Sequence, residues 1–146
     1  MRAALRLSEQ NGYDAIKPDL VGRTAMALAR TGHSREAIDL VEDCLARGLH
    51  LRTGQLEVYY LYAGYAEALV RDGRVEQGLE SLAAALAIAQ HTGNPYRMAD
   101  GLQLRAHLLG SVAPEDPQIK TDLAERDTLC ERYGLAAWRP EKSAVV

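Results

Sequence analysis

The sequence predicts an all-α protein built from repeated antiparallel helix pairs, and three observations predict it. One phrase, Ala-x-Ala-Leu-x-Arg-x-Gly, occurs twice at an offset of 41 residues: Ala25, Ala27, Leu28, Arg30 and Gly32, then Ala66, Ala68, Leu69, Arg71 and Gly73. A second matched run follows each glycine, Glu36-Ala37-Ile38 with Val41 and Leu45 against Gln77-Gly78-Leu79 with Leu82 and Leu86. Self-similarity at a period of a few tens of residues marks a repeat architecture, in which each unit buries its core against its neighbours. Apolar residues recur at three-and-four spacing almost throughout, the helical period, and no strand is predicted. Glycine, Asn-Pro and Asp-Pro punctuate that periodicity where helices end and begin.

Seven helices follow from these signals. The first covers about residues 2–11 and ends before Gly12. The second starts between Asp14 and Pro18, since proline is tolerated only in a first turn, and stops at Gly32. Ser34 is a good N-cap for a third, which carries Ala37, Ile38, Val41, Cys44 and Leu45 to Gly48. The fourth spans about 54–72, with Leu56, Tyr59, Tyr62, Tyr65, Ala66 and Leu69 along one side. The fifth, 74–92, holds Leu79, Leu82, Ala85, Leu86 and Ala89 and stops at Gly93. Asn94-Pro95 opens a sixth helix reaching Leu109, and residues 110–115 form a turn. Asp116-Pro117 opens a seventh with Ile119, Leu123, Arg126, Leu129, Cys130 and Tyr133, capped by Gly134. Residues 135–146 form a tail in which Trp138 covers the last pair.

Short connections make the helices antiparallel hairpins. Ala4-Leu5-x-Leu7 then Gly12 echoes Ala85-Leu86-x-Ile88 then Gly93, so the first helix matches the second half of a unit. The expected organisation is a repeat domain over 1–134, with a half repeat at 2–12, repeats at about 14–48, 54–92 and 95–133, and the tail at 135–146. A chain that begins half-way through a unit is expected to be the C-terminal part, or a remnant, of something longer.

Composition bounds the function. The 146 residues suit one core, and 47% hydrophobic with 25% charged residues is ordinary for a soluble protein. A net charge of −3 disfavours nucleic acid. With no phenylalanine and one tryptophan, small and aliphatic side chains must make the core. The longest apolar run, 82–89, is too short to span a bilayer, and arginines interrupt the start where a signal peptide would be apolar. Cys44 and Cys130 lie in apolar patterns without CxxC spacing, as expected of reduced, inert thiols in a cytoplasmic protein.

At this point the residues resemble the tetratricopeptide repeat. Ala25, Leu28, Gly32, Ala37 and Val41 fill that family's pattern, and Ala66, Leu69, Gly73, Gly78 and Leu82 fill it with glycine for alanine. The third unit keeps Ala106 and Leu109 but departs at its turn, 111–117. The spacing of 41 exceeds the family's usual value of about 34, and the closing proline is missing. These longer repeats look like those at the C-termini of bacterial cyclase–ATPase proteins and maltose-regulator-type transcriptional activators. The resemblance implies a right-handed superhelix of helix pairs with a concave groove lined by first-helix positions. Carried onto the matched units, these are Arg23, Met26 and Arg30, then Tyr60, Ala63, Glu67 and Arg71, then Gln103 and His107. The family's clamp for C-terminal carboxylates needs lysine and asparagine where Gly22 and Met26 stand, so that clamp is disfavoured.

Catalysis is not expected. No histidine among His33, His50, His91 and His107 pairs with other ligands at zinc spacing, no serine lies in a nucleophile elbow, and Gly73 to Gly78 lacks the Lys-Ser/Thr of a phosphate loop. No cofactor or metal is expected, and no membrane or nucleic-acid partner. The predicted function is a non-catalytic interaction module in a bacterial signalling or regulatory protein. It would hold a protein or peptide segment, and the arginines at aligned positions suit an acidic one. Against that stand a small-molecule sensor, self-association through the half repeat, and a bland alternative: arginine at a helix C-terminus simply complements the dipole.

Overall fold

A computed structural model describes residues 2–11 and 17–135. They form seven α-helices and one 3-10 turn, with no strand among the described residues: α1 (Arg2–Asn11), α2 (Lys17–Arg30), α3 (Ser34–Ala46), the 3-10 turn (Leu49–Arg52), α4 (Gln55–Arg71), α5 (Val75–His91), α6 (Pro95–Val112) and α7 (Pro117–Tyr133). The chain divides into two compact units, residues 1–93 with α1 to α5 and residues 94–146 with α6 and α7.

In the first unit the 41-residue offset reappears as geometry. Gly32 and Gly73 adopt left-handed φ values of 86° and 88°, which glycine reaches without the Cβ clash other residues meet. Each closes its helix the same way. His33 N–H donates to the Leu28 carbonyl at 2.8 Å and Arg74 N–H to the Leu69 carbonyl at 2.9 Å, while each glycine N–H donates back to Ala29 or Val70. These are paired Schellman closures, which satisfy carbonyls the helix end would otherwise strand. Ala25, Ala37 and Val41 in one repeat, and Ala66, Gly78 and Leu82 in the next, are buried as the pattern requires.

The one irregular position in that pattern has a packing cause. A Cβ added at Gly78 would come within 2.5 Å of Val70 Cγ2. Where the second repeat pairs Val70 with Gly78, the first pairs Ala29 with Ala37. Bulk has moved from one helix to its partner, and a close-packed interior admits only such exchanges. Ser81 adds a fixed point between the same helices, its hydroxyl donating to the Tyr62 carbonyl at 2.8 Å.

Consecutive repeats are joined most tightly where α2 crosses α4. A Cβ on Gly22 would collide with the Tyr60 carbonyl, and one on Gly64 with the Gly22 carbonyl. Backbone therefore lies on backbone at this crossing. Around it, Val21, Leu28, Ile38, Val41, Cys44, Leu49, Val58, Leu61 and Leu69 form one continuous core, with Tyr62 and Tyr65 packed against its edge. The helix α1 packs against α2, and Arg2 Nη2 reaches Glu36 Oε1 of α3 at 2.6 Å.

The second unit opens both helices with the expected caps. Asn94 accepts from Arg97 N–H at 3.0 Å and Asp116 from Gln118 N–H at 2.8 Å, each followed by proline in the first turn. Ala99, Cys130 and Leu135 make a small cluster. The bond between the helices is ionic: Arg105 Nε and Nη2 meet Asp122 Oδ2 and Oδ1 at 2.8 and 2.7 Å. Gln118 donates a third hydrogen bond to Asp122 at 2.8 Å. Asp122 is fully buried, and three donors offset the cost of removing its charge from water.

Three sequence expectations are corrected, and one element is added. Ser34 is not the cap of α3; His33 occupies that position with no side-chain bond, and the equivalent Arg74 does the same for α5. Leu56 leaves the core stripe and is 41% exposed, because it sits in the first turn of α4. The sixth helix runs through Gly110 to Val112, three residues beyond Leu109. Between α3 and α4 the chain forms a 3-10 turn that the periodicity does not announce. The tail expectation for Trp138 and the cap at Gly12 lie outside the described residues.

Candidate binding face

The glycine crossing sets α2 and α4 so close that side chains flanking it interact directly. Arg23 lies over the Tyr60 ring, its guanidinium carbon 3.8 Å from the centroid, a cation–π contact. Its Nε donates to Asp19 Oδ2 one turn earlier at 2.8 Å. Tyr60 in turn stands edge-on to the buried Tyr59, ring centres 5.2 Å apart at 86°. The Tyr60 ring is thus held by two neighbours, Arg23 of α2 and Tyr59 of its own helix.

At the ends of α2 and α4, Arg30 and Arg71 converge on a single carboxylate, one turn back along α4. Arg30 Nε donates to Glu67 Oε1 at 2.9 Å, and Arg71 Nε and Nη2 donate to the same oxygen at 3.3 and 3.2 Å. Glu67 is 0% exposed, whereas the Arg30 and Arg71 side chains are 55% and 37% exposed. The carboxylate is the internal counter-ion and the guanidiniums are the outer layer. Glu67 Oε2 is buried without a hydrogen-bond partner among the described residues. Two guanidiniums against the one carboxylate of Glu67 leave this cluster one positive charge in excess. Arg30 spends only its Nε on Glu67 and its side chain is 55% exposed, so its Nη groups remain as further donors.

The residues expected on a concave face therefore sort into three groups. Arg23 meets Tyr60, and Arg30 meets Arg71 through Glu67, each pair joining α2 to α4, with Met26 half-buried and between Arg23 and Arg30 along α2. Ala63 and Glu67 are buried, so neither offers an open surface. Gln103 and His107 lie on α6 in the second unit, where Gln103 accepts from Arg126 of α7 and His107 is exposed. Both Arg30 and Arg71 end their helices, so the dipole role operates too, but their side chains are aimed at Glu67. The i,i+4 spacing of Glu67 and Arg71 is the sequence signal for that pair. Nothing in the sequence announces Arg30 as its third member.

Other chemistry-bearing groups are placed differently. Cys44 and Cys130 are free and buried. Burial pushes the Cys44 thiol above its ordinary value, a shift only partly opposed by the charge of Lys17, so Cys44 is a poor nucleophile. Among the described residues no group of three or more His, Cys, Asp or Glu is arranged to hold a metal ion. No described helix is long and apolar enough to cross a membrane. No family model, curated protein or solved structure matches this chain.

Proposed function

We propose that the chain is a non-catalytic interaction module of the tetratricopeptide kind, which holds an acidic segment of another protein on the α2–α4 face. The observation that carries this reading is the convergence of Arg30 and Arg71 on buried Glu67. A buried carboxylate fixes two long, flexible side chains in advance, so less rotamer entropy is lost when a partner's carboxylate arrives. The outward guanidinium edges match a carboxylate in paired hydrogen bonds. Two turns before Glu67 on α4, Tyr60 under Arg23 supplies an aromatic of the type that dominates interface energies. Such a module fits a cytoplasmic bacterial signalling or transcription-regulatory protein.

The test is fluorescence anisotropy with a short labelled peptide of Asp and Glu around one Trp. Reversing both arginines to glutamate would set three carboxylates together and unfold the site, so a neutral replacement is the right variant. Arg30→Gln/Glu67→Gln/Arg71→Gln keeps polar side chains without charge and should weaken binding at least about ten-fold, a change of about 1.4 kcal/mol. Arg23→Gln/Tyr60→Ala should weaken it as well. Unchanged affinity in both variants, each folded by circular dichroism, would refute the assignment.

A further inference from the structure

A second site lies away from that face. A cleft of about 460 Å³ opens between α1, α2 and α3, within the range of roughly 300–1,000 Å³ that small-ligand pockets use. Its floor is apolar, with Leu28 of α2 and Leu40 of α3. Its two walls carry opposite charge. Arg2 and Arg6, one helical turn apart on α1, form one; Glu36, Asp39 and Asp43, spaced three and four along α3, form the other.

The charges are only partly used. Arg2 bridges to Glu36 at 2.6 Å, with both side chains more than half exposed, and Asp43 contacts Arg47 at 3.5 Å. Arg6 and Asp39 have no ion-pair partner among the described residues. Among the described residues, one cation and one anion without an ion pair therefore face the same cleft across an apolar floor. A purely acidic ligand would gain the arginines but meet three carboxylates, and a purely basic one would gain the carboxylates but meet two arginines, so each faces like charge on one wall. A ligand with opposite charges at its two ends and an apolar body meets no such penalty.

We propose that this cleft binds a small zwitterion with an apolar body, its carboxylate at Arg6 and its ammonium at Asp39 and Asp43. Short apolar peptides and free apolar amino acids share that chemistry. None of the arginines of the α2–α4 face lines the cleft, so the two sites are separable.

Isothermal titration calorimetry of the full chain tests this, with leucyl-leucine, free leucine, N-acetyl-leucyl-leucine and leucyl-leucinamide as probes. Saturable heat from leucyl-leucine or leucine is expected, and the tighter of the two identifies the source. Blocking either end should cost at least about ten-fold in affinity. Arg6→Glu and Asp39→Lys, both at exposed positions, should each cost a similar factor, while the triple glutamine variant of the α2–α4 face should bind the probe unchanged. Absence of heat from both zwitterions, or equal affinity for blocked and unblocked peptides, would overturn the proposal.

Discussion

Alanine in place of Gly64 should destabilise the protein even though alanine is the better helix former. Gly64 lies inside α4, where replacing glycine by alanine gains about 1 kcal/mol from backbone entropy alone. The new Cβ, however, would fall on the Gly22 carbonyl oxygen, with the Gly22 carbonyl carbon and Cα only 2.9 and 3.1 Å away. Every atom in the way is backbone, so relief requires α2 and α4 to separate and open the core between them. Overpacking of this kind costs about 1–3 kcal/mol and more where no side chain can rotate aside. With only backbone in the way the upper end of that range applies, and the net expectation is a loss of about 2 kcal/mol. Gly110 provides the matched control, since it too is helical but nothing lies within 4 Å of its added Cβ. Gly110→Ala should be stabilising, by up to about 1 kcal/mol. Urea unfolding followed by far-UV circular dichroism reads both. Opposite signs support the close crossing; a Gly64→Ala protein as stable as wild type would refute it.

Three further outcomes follow from the same packing. Leu82, fully buried on α5, should cost about 2–5 kcal/mol when cut to alanine, through lost transfer energy and the cavity left behind, again read by urea unfolding. Asp122→Ala leaves Arg105 without its buried partner and should cost about 3 kcal/mol; thermal melts should show this loss. Tyr65 donates to Glu42 at 3.0 Å, and burial first, then that hydrogen bond, raises its phenol above the ordinary tyrosine value. A folded-state value above the unfolded one stabilises fully below the unfolded pKa and is lost as pH rises through the folded one. The stability of wild type relative to Tyr65→Phe should therefore be flat up to about pH 10 and fall beyond it. A difference that stays flat at higher pH would contradict the shift.

Much of the architecture was legible because it is local. The Schellman glycines at 32 and 73, and the Asn94-Pro95 and Asp116-Pro117 caps, are fixed by a few neighbouring residues, and each appears where the sequence puts it. The core positions Ala25, Leu28, Val41, Leu69 and Leu82 follow from helical period alone. What escaped is tertiary. Gly22 and Gly64 are offset by 42 rather than 41 residues, so they fall outside the repeat phrase, and their only local sign is glycine where a helix disfavours it. Glu67 reads as an exposed charge on any helical wheel. Its burial depends on Arg30, a residue 37 positions earlier whose approach the glycine crossing permits. Leu56 reads as core by spacing yet lies in an open first turn, because periodicity does not say where packing stops. The cleft beside α1 needs three helices in place before its opposed walls exist.

The most direct test of the central claim is where an acidic peptide lands. Nitrogen-15 spectra of the arginine Nε–H groups report on Arg23, Arg30 and Arg71 individually, once each is identified by substitution. Titrating the unlabelled acidic–Trp peptide should shift the Arg30 and Arg71 signals together, with the same saturation curve, and perturb Arg23 through its contact with Tyr60. Arg105, bonded to Asp122 in the second unit, should not move. Saturable binding that leaves Arg30 and Arg71 unshifted, or that moves other arginines in their place, would contradict the account.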